Sequence, residues 1–493
     1  HFGPSTAHCP PLLYRTIRRQ RSAAMRTAAL LALLLRFGLA LRREPPAVVA
    51  AGGAEAAGSR QVMHNFKDLQ YYAYLTIGGQ PITGLLDTGS FDLVVFDEDC
   101  ADCGTAKKYA SKRSQSYQAG PVVQSLYYGS GSVRVLEAAD RVAVGPYGGV
   151  NLTFWNAVSA SMPVLRNAVF NSIVGVGPPE TPGSDAWTAV RDDLEVMKAD
   201  MKIGFAFPTD AQAERLQKDT DLATVLGMEP TLVKAHDVAQ FSICLGQKPG
   251  SEGYFIWNDT SYLDSPSLFT YLKVLGQHTF TINMTSMKLN QGGKESSAFA
   301  CQEGCGAIID SGTSLLLMPY DAIEELRETL KHMRTDCNDI HSLPKLTFKL
   351  DGKEFVLPPD AYLSKTVEGS SNANAATSSF KAERVRLDFG GGDCELAVMG
   401  SMSETNWGPL WILGMPFFRT YYTTFKVGKN HDDRALYVTP ASTNCTPSSA
   451  DSIFAQTRPQ AEYGHELRTV NRSAMLIPRI VQKAQTMPVL KNL

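Results

Sequence analysis

Leu85-Leu-Asp-Thr-Gly-Ser90 and Ile308-Ile-Asp-Ser-Gly-Thr313 carry one pattern written twice. Each reads apolar-apolar-Asp-hydroxyl-Gly-hydroxyl, and the two aspartates, Asp87 and Asp310, stand 223 residues apart. Each copy runs on into apolar residues, Leu93-Val-Val and Leu315-Leu-Leu-Met. Each is also followed further on by an apolar-apolar-Gly element, Ile173-Val-Gly175 and Ile412-Leu-Gly414. A single Asp-Thr-Gly is an ordinary turn. Two copies with matching companions mark a duplicated unit.

The pattern has a chemical use. An aspartate leaving a buried strand into a glycine turn is held at a fixed angle. Gly89 and Gly312 let the backbone come close and offer N–H groups to the carboxylate. The hydroxyls of Thr88, Ser90, Ser311 and Thr313 can orient the carboxyls or bond across to the other copy. Two such turns facing each other bring two carboxyls within contact distance, where both cannot ionise and one proton is shared. The ionised oxygen can then take a proton from a bound water while the protonated one polarises a carbonyl.

The surrounding sequence is β in character. Tyr72-Ala-Tyr-Leu-Thr-Ile77 alternates and stops at Gly78-Gly79, and short β-branched runs bounded by Gly, Pro and Asp recur to residue 440. That spacing describes an all-β sandwich or barrel type of fold. Helical period is expected only at 184–235, through Val190, Leu194 and Met197, and at Asp321–Met333, through Ile323, Leu326 and Leu330. Residues 367–379, rich in Ser, Asn and Ala, read as a mobile surface loop. Residues 441–493 read as a polar tail.

Composition narrows the function classes. The chain has 493 residues, enough for two to four domains, and its net charge of −2 lacks the basic excess of a nucleic-acid binder. The histidines show no HExxH or similar ligand spacing, so neither a metal nor another cofactor is expected. At the start, residues 1–24 read as an upstream segment outside the mature protein. Residues 25–43, with Arg26 before the apolar run Ala28–Leu35, read as a signal peptide. An amphipathic organelle-targeting leader is the alternative. Residues 44–61 read as a short pro or linker segment. Export implies the secretory pathway, with a secreted or vacuole/lysosome-like destination and an oxidising environment. The sequons Asn151, Asn258, Asn283, Asn444 and Asn471 are glycosylation candidates in that setting. Nine cysteines leave at least one without an intramolecular partner. Cys244, in an apolar strand, reads as a buried free thiol, and Cys445 as free or paired between chains.

From about Phe66 to about Pro440 the chain resembles the pepsin family of aspartic proteases. The resemblance rests on the two Asp motifs, the two apolar-apolar-Gly elements and Trp411-Ile-Leu-Gly-Met-Pro-Phe-Phe-Arg419. Tyr127-Tyr-Gly-Ser-Gly-Ser132 resembles the family's flap, which implies that Tyr128, Gly129 and Ser130 lie over the substrate. The resemblance implies a bilobal all-β fold, with an N-terminal lobe at 62–262, a C-terminal lobe at 263–440 and a six-stranded sheet joining them. It implies Asp87 and Asp310 as the catalytic pair, Ser90 and Thr313 as hydroxyls orienting their outer oxygens, and Thr88 and Ser311 as cross-linking hydroxyls beneath. It implies disulfides Cys301–Cys305 and Cys337–Cys394. Cys100-Ala-Asp-Cys103 is spaced more tightly than the corresponding family loop; a bond there closes a small ring, and free thiols or half a metal site are the other readings. A peptide or protein substrate and a monomer are implied as well.

The sequence departs from the family at Phe91, where a small polar residue is usual. It also departs at Val94, where a tryptophan usually holds the flap tyrosine, so Tyr128 is expected to lack that partner. The function expected is an acid endopeptidase. The alternatives are a pepsin-fold protein that binds peptides with little or no cleavage, and a structural glycoprotein.

Overall fold

The alternating run becomes a strand because its odd positions face inward. In β2 (Gln70–Ile77), Tyr71, Ala73, Leu75 and Ile77 are buried while Tyr74 is exposed. The strand turns back through Gly78 and Gly79, whose φ angles of 55° and 76° are both left-handed. Such a two-residue turn matches the strand twist and selects glycine. Ile77 thereby pairs with Gln80, and β3 (Gln80–Asp87) leads directly to the first aspartate. β1 (Ser59–Phe66) precedes this hairpin and pairs with β2.

The structure is a computed structural model. It describes residues 58–178, parts of 187–198, 209–332, 339–365, 386–387, 394–449, 467–471, 474–477 and 489–490. All of these lie in the unit Gly53–Leu493. The upstream segment, the signal-like run, the loop at 367–379 and Cys337 lie outside the described residues.

After the first aspartate come β4 (Leu93–Ala101), β5 (Gln118–Tyr128), β6 (Gly131–Val144), β7 (Tyr147–Ser161) and β8 (Ser172–Gly175). β3 pairs parallel with β8, β8 antiparallel with β4, and β4 parallel with β7. The second copy repeats this sequence of pairings. Strand Cys305–Ile309 pairs parallel with Gly408–Leu413, that strand antiparallel with Leu316–Pro319, and the last parallel with Val398–Ser401. Strands covered on both faces read as continuous apolar runs, which is why Leu93–Phe96, Ile308-Ile309 and Leu315–Met318 show no alternation. The arrangement is the all-β, bilobal pepsin-like fold.

Six strands from widely separated parts of the chain form an antiparallel run. Its order is Thr270–Lys273, Ala435–Pro440, Tyr421–Lys426, Gln240–Leu245, Gly253–Trp257 and β1. Phe241 stacks between Phe255 and Phe425, with ring centroids 4.8 and 5.0 Å away. Just after Gly253–Trp257, Asp259 accepts from Ser242 Oγ at 2.5 Å and Tyr422 Oη at 2.6 Å, so the buried carboxylate is satisfied.

The longer helices among the described residues fall in the two expected regions, while the short helices Ser261–Asp264 and Met415–Thr420 lie outside them. Val190 and Met197 are helical and buried, and helix Asp210–Met228 begins at a reciprocal Thr209–Gln212 capping box. Helix Tyr320–His332 buries Ile323, Leu326 and Leu330.

Two expectations are corrected. Cys244 is no free thiol: it is bonded to Cys445, 201 residues on, because the loop after the last strand of the six folds back over it. Cys100–Cys103 and Cys301–Cys305 are bonded, and Cys394 is a disulfide cysteine. The segment after 440 is also not simply a polar tail. Strand Arg468–Thr469 adds in parallel to Leu363–Lys365, and Leu467, Ala474, Met475 and Leu476 are buried.

Val94 is completely buried, in register with Ile173 on one side and Trp155 on the other. Trp155 sends its indole N–H to Asp92 Oδ1 at 3.2 Å. Tyr128 is buried, and the aliphatic Val94 offers its hydroxyl no indole N–H. A tryptophan at 94 would therefore overfill a packed strand layer, a change costing about 1–3 kcal/mol. Val94→Trp should lower the denaturant midpoint of unfolding with the denaturant slope unchanged, rather than improve the site.

Candidate active site

The two Asp loops are tied by four hydrogen bonds that cross between them. Ser311 N–H donates to Thr88 Oγ1 at 2.9 Å, and Thr88 Oγ1 donates to the Ile309 carbonyl at 3.0 Å. In mirror fashion Thr88 N–H donates to Ser311 Oγ at 3.1 Å, and Ser311 Oγ donates to the Leu86 carbonyl at 2.6 Å. Both side chains are buried. Each bond contributes about 1 kcal/mol net, and stranding one partner in a dry place costs more. The hydroxyl beside each aspartate thus fixes the opposite loop.

Above this crossing each carboxylate is held by its own turn. Asp87 receives Gly89 N–H on Oδ1 at 3.0 Å and Ser90 Oγ on Oδ2 at 2.5 Å. Asp310 receives Gly312 N–H on Oδ1 at 2.8 Å and Thr313 Oγ1 on Oδ2 at 2.5 Å. The two carboxyls lie close enough for the charge of Asp87 to act on Asp310. The glycines are required by space: a Cβ on Gly89 would lie 2.8 Å from the Asp310 carboxyl carbon, and one on Gly312 would lie 2.1 Å from Asp87 Oδ1. The apolar-apolar-Gly elements brace the loops from behind. Gly177 N–H reaches the Ser90 carbonyl at 2.8 Å, and Met415 N–H reaches the Thr313 carbonyl at 2.9 Å.

Burial, and then the charge of Asp87 beside it, push the Asp310 carboxyl well above the usual carboxylate range. Asp310 is fully buried and Asp87 is 5% exposed. The pair therefore keeps a proton on Asp310 under conditions in which an isolated carboxyl would lose it. One carboxyl can donate while its neighbour accepts, which is what activating a water against a carbonyl requires.

β5 and β6 form a hairpin whose tip is Gly129-Ser130, with Tyr128 paired to Gly131. Gly131 has φ 137°, and a Cβ there would meet the Ser161 carbonyl at 2.0 Å, so the tip depends on glycine. The sequence reading missed what lies against this tip. Ser130 Oγ accepts from Ile477 N–H at 2.9 Å and donates to the Ile477 carbonyl at 3.3 Å. Ser314, directly after the second motif, accepts from Leu476 N–H on Oγ at 2.8 Å and donates its own N–H to the Leu476 carbonyl at 3.3 Å. Gln70 Nε2 donates to the Ala474 carbonyl at 2.9 Å. The available signal was the apolar run Ala474-Met-Leu-Ile477 within a polar segment.

The remaining sequence-derived residues lie apart from this centre. Asn151, Asn444 and Asn471 are exposed, Asn283 is half-buried, and Asn258 spends its side-chain oxygen on Ala239 N–H. Among the described residues no cluster of His, Cys, Asp or Glu is placed to hold a metal ion, and no helix is long and apolar enough to cross a membrane.

Comparison with known proteins agrees with this geometry. The family model for eukaryotic aspartyl protease matches residues 70–203 and 197–435. The chain is 28% identical to "Cathepsin D" of Bos taurus over 392 residues, covering 75% of this chain and 85% of the relative. It is 26% identical to "Pepsin A" of Bos taurus over 383 residues, covering 76% and 85%. It is 27% identical to "Cathepsin D" of Rattus norvegicus over 384 residues, covering 74% and 80%. With most of its length matched by that model and its two Asp turns locked face to face, the chain belongs to the eukaryotic aspartyl protease family.

Proposed function

We propose that this protein is an active aspartic endopeptidase working at acidic pH, with Asp87 and Asp310 as its catalytic pair. The observation that carries the reading is the pair of Asp turns tied face to face by the Thr88–Ser311 crossing, with the Asp310 carboxyl pushed up by burial and by the charge of Asp87. Asp87 takes a proton from the attacking water, and Asp310 polarises the scissile carbonyl with its own proton. Collapse of the tetrahedral adduct breaks the C–N bond, and the amine leaves with a proton from the pair. The flap residues Tyr128, Gly129 and Ser130 cover the substrate and exclude water, as lids do.

The halves 62–262 and 263–440 each supply one aspartate, so one chain completes the site and a monomer suffices. The disulfides Cys100–Cys103, Cys244–Cys445 and Cys301–Cys305 support maturation in an oxidising compartment, hence a secretory route. The exposed sequons Asn151, Asn444 and Asn471 are open to glycosylation there.

Asp87→Asn and Asp310→Asn keep shape and most hydrogen bonds but remove the shared proton. Each should lower kcat on a quenched peptide by roughly 10²–10⁴-fold while circular dichroism stays native. Substantial turnover in either variant would refute the assignment, and a wild type that binds peptides without cutting them would favour the binding-protein reading.

Gly89→Ala and Gly312→Ala each press a methyl into the opposing carboxyl at the distances given above. Both should lose most activity while remaining folded, and kcat together with a thermal melt checks this.

The raised Asp310 also sets a stability trend. Its folded-state pKa lies above the unfolded one, so its contribution is fully present below the ordinary carboxylate range. That contribution is lost as pH rises through the folded value. Tm should fall as pH is raised from acid towards neutrality, and Asp310→Asn should flatten that fall. An unchanged slope in the variant would assign the trend to other groups.

A further inference from the structure

The segment Ala474–Ile477 is bound the way an extended peptide is bound. Its contacts run through backbone groups at successive residues: the Ala474 carbonyl to Gln70, both polar groups of Leu476 to Ser314, and both of Ile477 to Ser130. The first partner lies at the start of β2, the second directly follows the Asp310 turn, and the third is the tip of the flap hairpin. Segment and partners therefore span the gap between the flap and the second aspartate loop. The acceptor is preset, because Ser314 Oγ donates to the Leu69 carbonyl at 2.6 Å and so turns its lone pairs towards Leu476 N–H. Ala474, Met475 and Leu476 are buried.

The approach to the gap is anchored. Arg468 is buried and bonds Asp360 through Nη1 at 2.7 Å, with Asp68 at 3.7 Å and the Gln247 carbonyl as further partners. Arg468-Thr469 extends a sheet beside Ser364-Lys365. A tethered segment acts at an effective concentration of about the millimolar range, so even weak intrinsic affinity fills a site.

We propose that Ala474–Ile477 is a tethered, substrate-like occupant of the cleft, so that the chain carries its own competitive inhibitor, docked by Arg468. The proposal rests on the endopeptidase reading and adds its regulation. Main-chain recognition of this kind does not depend on side-chain identity, so an incoming extended peptide competes for the hydroxyls of Ser130 and Ser314. Until the segment is displaced, the cleft is closed to substrate.

The test is steady-state kinetics of the full chain on a quenched peptide, comparing wild type with Leu476→Gly and Arg468→Gln. A competitive occupant raises apparent KM and leaves kcat alone. Leu476→Gly should lower KM by about 30-fold or more, the scale of losing a buried leucine side chain, with kcat unchanged. A synthetic peptide spanning residues 467–477 should inhibit Leu476→Gly competitively, and wild type less by the same factor. Arg468→Gln strands Asp360 and can unfold the chain; Leu476→Gly, checked by thermal unfolding, keeps the test decisive. An unchanged KM in folded Leu476→Gly overturns the proposal. Hydrogen exchange of the Leu476 and Ile477 amides in wild type reads occupancy without turnover. Slow exchange at both supports the proposal, and fast exchange at both overturns it. If no form of the chain cleaves peptide, the endopeptidase reading fails while the exchange result still decides whether the cleft is occupied.

Discussion

The crossing of Thr88 and Ser311 is the constraint from which the rest of the site follows. Two carboxyls repel when both are charged, so they stay in contact only if something beneath them fixes the separation. Four hydrogen bonds between buried groups do so, and each uses a backbone group that would otherwise be left unsatisfied in the interior. The arrangement is symmetric because each loop supplies the same parts. A change on one side therefore strands a polar group on the other.

The sheets deliver the loops to that crossing. In each copy the aspartate strand lies parallel to an apolar-apolar-Gly strand, and the glycine lets the next turn pass close behind. A Cβ on Gly175 would lie 2.4 Å from the Phe91 carbonyl carbon, and one on Gly414 would lie 2.2 Å from the Leu315 carbonyl oxygen. The companion glycines are thus part of the same device as the aspartates. The site is also dearer to fold than an apolar one, because a fully buried Asp310 must keep a proton or sit charged beside Asp87. Gly312 N–H and Thr313 Oγ1 offset part of that cost.

The cleft is built to bind backbone, and this has a second consequence. Ser130 and Ser314 present hydroxyls to whatever extended strand lies between flap and loop. A chain long enough to return to its own cleft can satisfy them from within. Leu476 and Ile477 do so, and the buried Arg468 guanidinium is held by Asp360.

Much of this was legible in the residues themselves. The duplicated Asp motif, the glycine pair after β2, the all-β class and helix Tyr320–His332 are local: period, turn chemistry and spacing are written in neighbouring positions. The motif also named the groups of the site, since Thr88, Ser90, Ser311 and Thr313 sit one and three residues from their aspartates. The residues alone left open which hydroxyl crosses and which orients; the family resemblance assigned Thr88 and Ser311 to the crossing, and those bonds form because of how the two loops face. Cys244–Cys445 was hidden because a partner 201 residues away is chosen by where a loop folds back. The cleft segment was hidden for the same reason. Ala474–Ile477 is too short to show a period, and its partners Ser130 and Ser314 lie 347 and 162 residues away. A backbone group at an isolated site carries no sequence signature of the group that will satisfy it; long-range packing makes that choice.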